Sequence, residues 1–308
     1  MRIAVIDMGT NSTRLLVAEV ADGRLAELER RSTVTRLGRG VDTSRRLAAE
    51  AIENVCETVG SYLEACGELE AERITAIATS AVRDAEIAGA FTGELRERFA
   101  LDARVLDGGE EALLTYLGAV AERPAAERTL VVDIGGGSTE LIVGSGTEVS
   151  FHASLQAGTV RHSERHLPDD PPTAAQLEAL AAGVHALIDA EIRDEAMVSA
   201  REGIAVAGTP TSLAAIDLGL DPYDPEAVQG HRLVLAAIQR MCSELSSIPL
   251  SERLEVRGLH PDRAPTIVAG IVILIQAMRA FGLTEIEVSE HDILDGAALE
   301  SARQPSPG

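Results

Sequence analysis

The sequence predicts an α/β protein of two domains, and three observations carry that prediction. Aromatic residues make up only 2% of the 308 residues and Trp is absent, so Ala, Val, Leu and Ile must fill the interior, as in alternating layers of strand and helix. With 45% hydrophobic residues, a chain of this length fills one large core or two ordinary ones. The third observation is an internal repeat: IDMGTNSTRLL, from Ile6 to Leu16, returns as VDIGGGSTELI, from Val132 to Ile142. Both read strand, Asp, apolar residue, Gly, two small or polar residues, Ser-Thr, one charged residue, strand.

The elements follow in order. Residues 2–7, 14–20 and 25–35 read as strands, with Ala21-Asp22-Gly23 as a hairpin turn. From Thr43 the apolar positions Leu47, Ile52, Val55, Val59 and Leu63 keep helical spacing, with Asp42 or Thr43 placed to cap. Residues 74–79 form a short buried strand, Ser80 caps a helix to about Phe99, and residues 103–106 are again a strand. Asp107-Gly108-Gly109 then turns into a helix beginning near Glu110. This βββαβαβα order restarts with strands at 129–133, 140–143 and 148–153, the last two joined by Gly144-Ser145-Gly146. Helices are expected around 158–166, 173–193, 210–218, 230–246, 264–280 and 293–302, and strands at 204–207 and 285–289. The domains are therefore placed at 1–120 and 121–291, with the last helix, 292–303, available to pack back on the first, and residues 304–308 as a flexible tail.

Charge narrows the function. There are 49 acidic and 27 basic residues, a net charge of -22, and every formal cation is Arg. A polyanion is repelled by that mean field, which excludes general nucleic-acid or anionic-membrane binding. Any anionic ligand must be met by a local cluster, a metal ion, or both, and the planar fork of Arg can hold two phosphate oxygens. The missing Lys is equally well a composition bias of the host. Cys56, Cys66 and Cys242 show no CxxC spacing and read as reduced thiols in a cytoplasm. The N-terminus is a first strand rather than a signal peptide, and the apolar run at 267–277 is too short to span a bilayer.

Neither repeated loop is a Walker loop or a GxGxxG opening a helix. Their glycines join strand to strand, where backbone N–H groups can turn toward a ligand and Ser and Thr hydroxyls add donors. Asp7, Asp133 and Glu140 at the strand ends can hold a hard cation such as Mg²⁺. Three further stretches supply complementary parts: ATSAVRDA with Arg83, LDGGEEALLTYLG with Glu110 and Glu111, and QAGTVRHSE with Arg161. Each alone also reads as ordinary capping or surface charge.

Together, DMGTNSTRLL, ATSAVRDA, GGEEALLTYLG, DIGGGSTELIVG, LQAGTVRHSE and AGTPTSLAA, in this order, resemble the exopolyphosphatase and guanosine pentaphosphate phosphohydrolase (Ppx/GppA) family of the actin-like, sugar-kinase and Hsp70 ATPase superfamily. The resemblance runs from Arg2 to about Leu299. It implies two RNase H-like domains with the active site in the cleft between them. It also implies a Glu111 base, a catalytic and metal-linked Glu140, and Asp133 toward Mg²⁺ or Mn²⁺, to which Asp7 is added by its strand-end position. Phosphate contacts fall on Gly9, Thr10, Asn11, Ser12, Arg83, Gly135, Gly136, Gly137, Ser138 and Thr139; position alone adds Arg14 and Arg161. The expected reaction is hydrolysis of the terminal phosphoanhydride of polyphosphate, with a short form favouring short chains, and a homodimer is expected by resemblance. Guanosine pentaphosphate is the alternative substrate, and a kinase or ATPase of the superfamily and a silent sensor are further readings. The chain departs from the family at Arg263-Ala264-Pro265, where R-A-D is common, and at Leu294-Asp295-Gly296 in place of L-R-E-G. An acid at 295 argues against a long basic groove there.

Overall fold

The computed structural model describes residues 1–86, 88–121, 123, 128–192 and 200–304. Two compact units divide the chain, Met1–Glu122 with Asp292–Gly308, and Arg123–His291. The end of the helix expected at 173–193 and most of the tail expected at 304–308 lie outside the described residues.

The first unit carries β1 (Arg2–Met8), β2 (Ser12–Ala21), β3 (Arg24–Val34), α1 (Val41–Ser44), α2 (Ala49–Glu68), β4 (Arg73–Ala78), α3 (Ser80–Arg83), α4 (Ala88–Phe99), β5 (Ala103–Val105) and α5 (Gly108–Val120). Its sheet has the order β3-β2-β1-β4-β5. The central β1 is antiparallel to β2 and parallel to β4, and Ile3 to Ile6 are fully buried, because both faces of this strand are covered. One face packs on α2 and α4 through Val55, Val59, Phe91 and Leu95. The other packs on α5 and the last helix through Leu114, Ile293, Leu294 and Ala298.

The second unit carries β6 (Thr129–Ile134), β7 (Thr139–Ser145), β8 (Glu148–Leu155), α6 (Thr159–His166), α7 (Ala174–Glu191), β9 (Glu202–Val206), α8 (Gly208–Leu218), α9 (Pro225–Val228), β10 (Arg232–Val234), α10 (Leu235–Ser247), α11 (Leu250–Arg253), α12 (Ile267–Ala280) and β11 (Glu285–Val288). Its sheet order is β10-β11-β9-β6-β7-β8. The apolar α12 lies in the core, which explains a run that is hydrophobic nearly all round. The final helix, α13 (Ile293–Arg303), belongs to the first unit and packs on α5 and β1.

Several boundaries differ from the sequence expectation for local reasons. The helix expected from Thr43 starts at Ala49, because Arg45 adopts a left-handed conformation and ends the short α1; neither Asp42 nor Thr43 caps α2, whose N-cap is Ala48. The helix expected from Ser80 to Phe99 is two helices, and Ser80 does not cap, since Thr79 holds the N-cap position and the buried Ser80 hydroxyl makes no hydrogen bond. Strand β10 was hidden inside an expected helix. Its three residues are held by antiparallel pairing with β11, a tertiary effect that local periodicity does not carry. The second hairpin turns at Gly146 rather than across Gly144, as β7 extends to Ser145.

Candidate active site

The two repeated loops are the same turn. In the first, Gly9 N donates to Ser12 O at 3.0 Å, and in the second Gly135 N donates to Ser138 O at 3.0 Å. Just beyond the turns the cross-strand partners also correspond, with Asp7 opposite Arg14 and Asp133 opposite Glu140. Equivalent positions thus carry opposite charge. Asp7 faces a cation, whereas Asp133 and Glu140 place two carboxylates side by side on one face of their sheet.

The loop carbonyls are occupied from behind. In the second loop Thr159 N donates to Gly135 O at 2.9 Å, Val160 N to Gly136 O at 2.9 Å, and Arg161 Nε to Gly137 O at 2.7 Å. A trans peptide sets each N–H opposite the preceding carbonyl, so the amides of Gly136, Gly137 and Ser138 point away from α6 and form a concave set of donors. The first loop is built likewise: Gly38 N donates to Thr10 O at 2.8 Å, and Thr35 N and Arg36 N to Asn11 O, which aims the Asn11 and Ser12 amides outward.

Three of the residues expected on phosphate have protein partners. Thr139 is fully buried and its hydroxyl donates to Ala157 O, which supports the loop from beneath. Arg161, expected on the anion, is 8% exposed and uses Nε to hold Gly137. Arg14, also expected there, is gripped by the carboxylates of Asp7 and Asp292. The motif residue whose role the sequence did not specify is Gly158. A Cβ there would overlap the backbone of Gly136 and Gly137, so QAGTVR is the mould of the second loop. Gly158→Ala is expected to lower kcat/KM about 100-fold by displacing that loop; steady-state kinetics beside a thermal melt check it.

Helix α5 begins with a capping box. Asp107 Oδ1 accepts from Glu110 N at 2.8 Å, and Glu110 Oε2 accepts from Asp107 N at 3.0 Å. That consumes Glu110 at the surface and turns Glu111 inward, where it is 6% exposed. Arg83 Nη1 donates to Glu111 Oε2 at 2.7 Å and to Leu106 O at 2.9 Å. Burial nevertheless outweighs Arg83 and raises the Glu111 carboxyl above the usual range, with Asp7 adding to the rise. Asp7 is raised by burial too, against the pull of Arg14. The structure therefore gathers Asp7, Arg14, Arg83 and Glu111 in the first unit with Gly9 to Ser12, and Asp133, Glu140, Arg161 and Gly135 to Thr139 in the second. Glu140 Oε1 accepts from Ser154 Oγ at 2.9 Å.

Among the described residues no group of three or more His, Cys, Asp or Glu could hold a metal ion. The donor chemistry still fits a hard cation that keeps most of its ligands as water or phosphate, for which one or two carboxylates suffice. Asp7 Oδ1 is buried with no hydrogen-bond partner, and the buried amide nitrogen of Asn11 is likewise unpartnered, an acceptor and a donor in one loop.

A duplicated hairpin with outward amides in each unit, and one buried acid on a capped helix in the first, define an α/β protein with donor-lined turns and an inward carboxyl. Residues 16–304 match the Ppx/GppA phosphatase family, and the chain belongs to it. It is 37% identical over 316 residues to exopolyphosphatase 2 of Mycobacterium tuberculosis, covering 98% of both chains. It is 26% identical to a guanosine-5'-triphosphate,3'-diphosphate pyrophosphatase of Photobacterium profundum, covering 96% of this chain and 58% of that one. The Ppx/GppA family member of Aquifex aeolicus superposes with a TM-score of 0.85 at 29% identity, over 100% and 99% of the two chains. Among the described residues no helix is long and apolar enough to cross a membrane.

Proposed function

We propose that the protein is an exopolyphosphatase that releases orthophosphate from the end of inorganic polyphosphate. The observation that carries the reading is the buried Glu111, raised by its surroundings and oriented by Arg83, in the same unit as the outward amides of the first loop. Glu111 accepts a proton from, or orients, the water that attacks the terminal phosphorus in line. The amides of Asn11 and Ser12, and those of Gly136, Gly137 and Ser138, hold phosphoryl oxygens and offset the charge that develops there. A phosphoanhydride already has a good leaving group, so placing and neutralisation supply most of the acceleration. Mg²⁺ or Mn²⁺, for which Asp7 in the first unit and Asp133 with Glu140 in the second are the proposed carboxylates, would add charge neutralisation to the phosphate oxygens. The setting proposed is the cytoplasm, from three free cysteines without paired spacing, and the assembly a homodimer by family resemblance.

Guanosine pentaphosphate is the second reading, favoured by the similarity to the Photobacterium protein. Against it stands the shortage of aromatic residues for stacking a base, three Tyr and four Phe. Phosphate release from pyrophosphate, tripolyphosphate, long polyphosphate, guanosine pentaphosphate and ATP, with Mg²⁺ or with EDTA, decides. Polyphosphate is expected to be cleaved fastest, with EDTA reducing release to near background. Transfer from ATP to a small acceptor without polyphosphate hydrolysis would replace this reading with a kinase.

A further inference from the structure

Asp292 carries no motif and lies at the start of the last helix, yet it is 4% exposed and each of its polar parts is committed. Oδ1 accepts from Leu294 N at 3.0 Å and caps α13. Oδ2 accepts from Arg14 Nη1. Its carbonyl lies so close to α5 that a Cβ on Gly118 would overlap it. Its own N–H donates to Asp295 Oδ2 at 3.0 Å, and Asp295 is held in turn by Arg30 Nη2 at 3.0 Å. Asp295, the departure from the family pattern, is thus a buried brace 2% exposed and lines no groove.

Arg14 carries the grip onward. Its Nε and Nη2 donate to Asp7 Oδ2 at 3.1 and 2.7 Å, which leaves Asp7 Oδ1 without a hydrogen bond. Gly118 lies on the helix of Glu111, about two turns further along. One residue therefore touches the supports of both acids, the Asp7 carboxylate through Arg14 and the Glu111 helix through its main chain. We propose that Asp292 is a positioning residue that sets Asp7 and Glu111 relative to each other, with Arg14 as the intermediary. This rests on the reading of Glu111 as the base beside the first loop.

A residue that only caps α13 would affect stability and nothing else, and that distinction is measurable. Asp292→Asn keeps an oxygen for the cap but removes the charge that draws Arg14. The expected result is a kcat on tripolyphosphate about tenfold lower and a KM changed less than about twofold, both measured at a temperature where a melt shows the variant fully folded. Arg14→Met combined with Asp292→Asn should be no slower than Arg14→Met alone, since Asp292 acts through Arg14. Wild-type kcat in the Asn variant, or reductions that multiply in the double variant, overturns the inference while the functional reading stands. A wild-type protein that releases no phosphate from any polyphosphate or from guanosine pentaphosphate overturns both.

Discussion

Glu111→Gln is expected to lower kcat on polyphosphate about 1,000-fold, within the range that a positioned general base supplies, while the protein stays folded. Gln is isosteric and still accepts from Arg83, so the change removes the proton acceptor and little else. The same substitution tests the electrostatics. Burial raises the Glu111 carboxyl, so the acid limb of the wild-type pH–rate profile should lie above the ordinary carboxylate range. The linkage runs in the same direction. A folded-state pKa above the unfolded value contributes stability that is present below the unfolded pKa and is lost as pH rises through the folded one. The Tm of Glu111→Gln should therefore gain on that of wild type as pH rises, and the two melts across pH read this directly. A Gln variant that hydrolyses polyphosphate at the wild-type rate would remove the mechanism.

Gly118→Ala is expected to destabilise the protein by about 3 kcal/mol, a Tm decrease of roughly 6–12 °C. The added Cβ meets the carbonyl of Asp292 and the N–H of Gly296, both backbone, so no flexible side chain can yield. Gly296 is the reciprocal contact, because a Cβ there would meet Leu114 O. Two facing glycines let α5 and α13 cross at backbone distance, which seats the Glu111 helix against the first sheet. Gly93→Ala in α4 is the control: a Cβ there meets nothing within 4 Å. Its expected change is a gain of about 0.5–1 kcal/mol from helix propensity. Calorimetric melts of the two variants separate close packing from propensity.

Much of the site was legible because its determinants are local. The hairpin order, the Asp-x-Gly loops and the GGEEA helix start are written in contiguous residues, and the match of Asp7 with Asp133 followed from comparing two short stretches. Choosing Glu111 over Glu110 rests on family resemblance, and the capping box shows that Glu110 stays at the surface while Glu111 turns inward. Strand β10 escaped because pairing with a distant strand determines it. The helix start at Ala49 escaped because a left-handed residue, Arg45, intervenes where no Gly marks the break.

By itself the sequence determined the α/β class, the duplication, the acidic surface and the residue types that gather at each loop. Only the tertiary structure decided what those residues do. Arg14 and Arg161 look alike as bare cations, yet one bridges two carboxylates and the other holds a loop carbonyl. Asp292 carries no motif of its own, and its importance comes from contacts with residues far away in the chain. The physical reason is that hydrogen-bond partners and close backbone approaches are fixed by packing between elements, which periodicity and spacing along one strand or helix cannot encode.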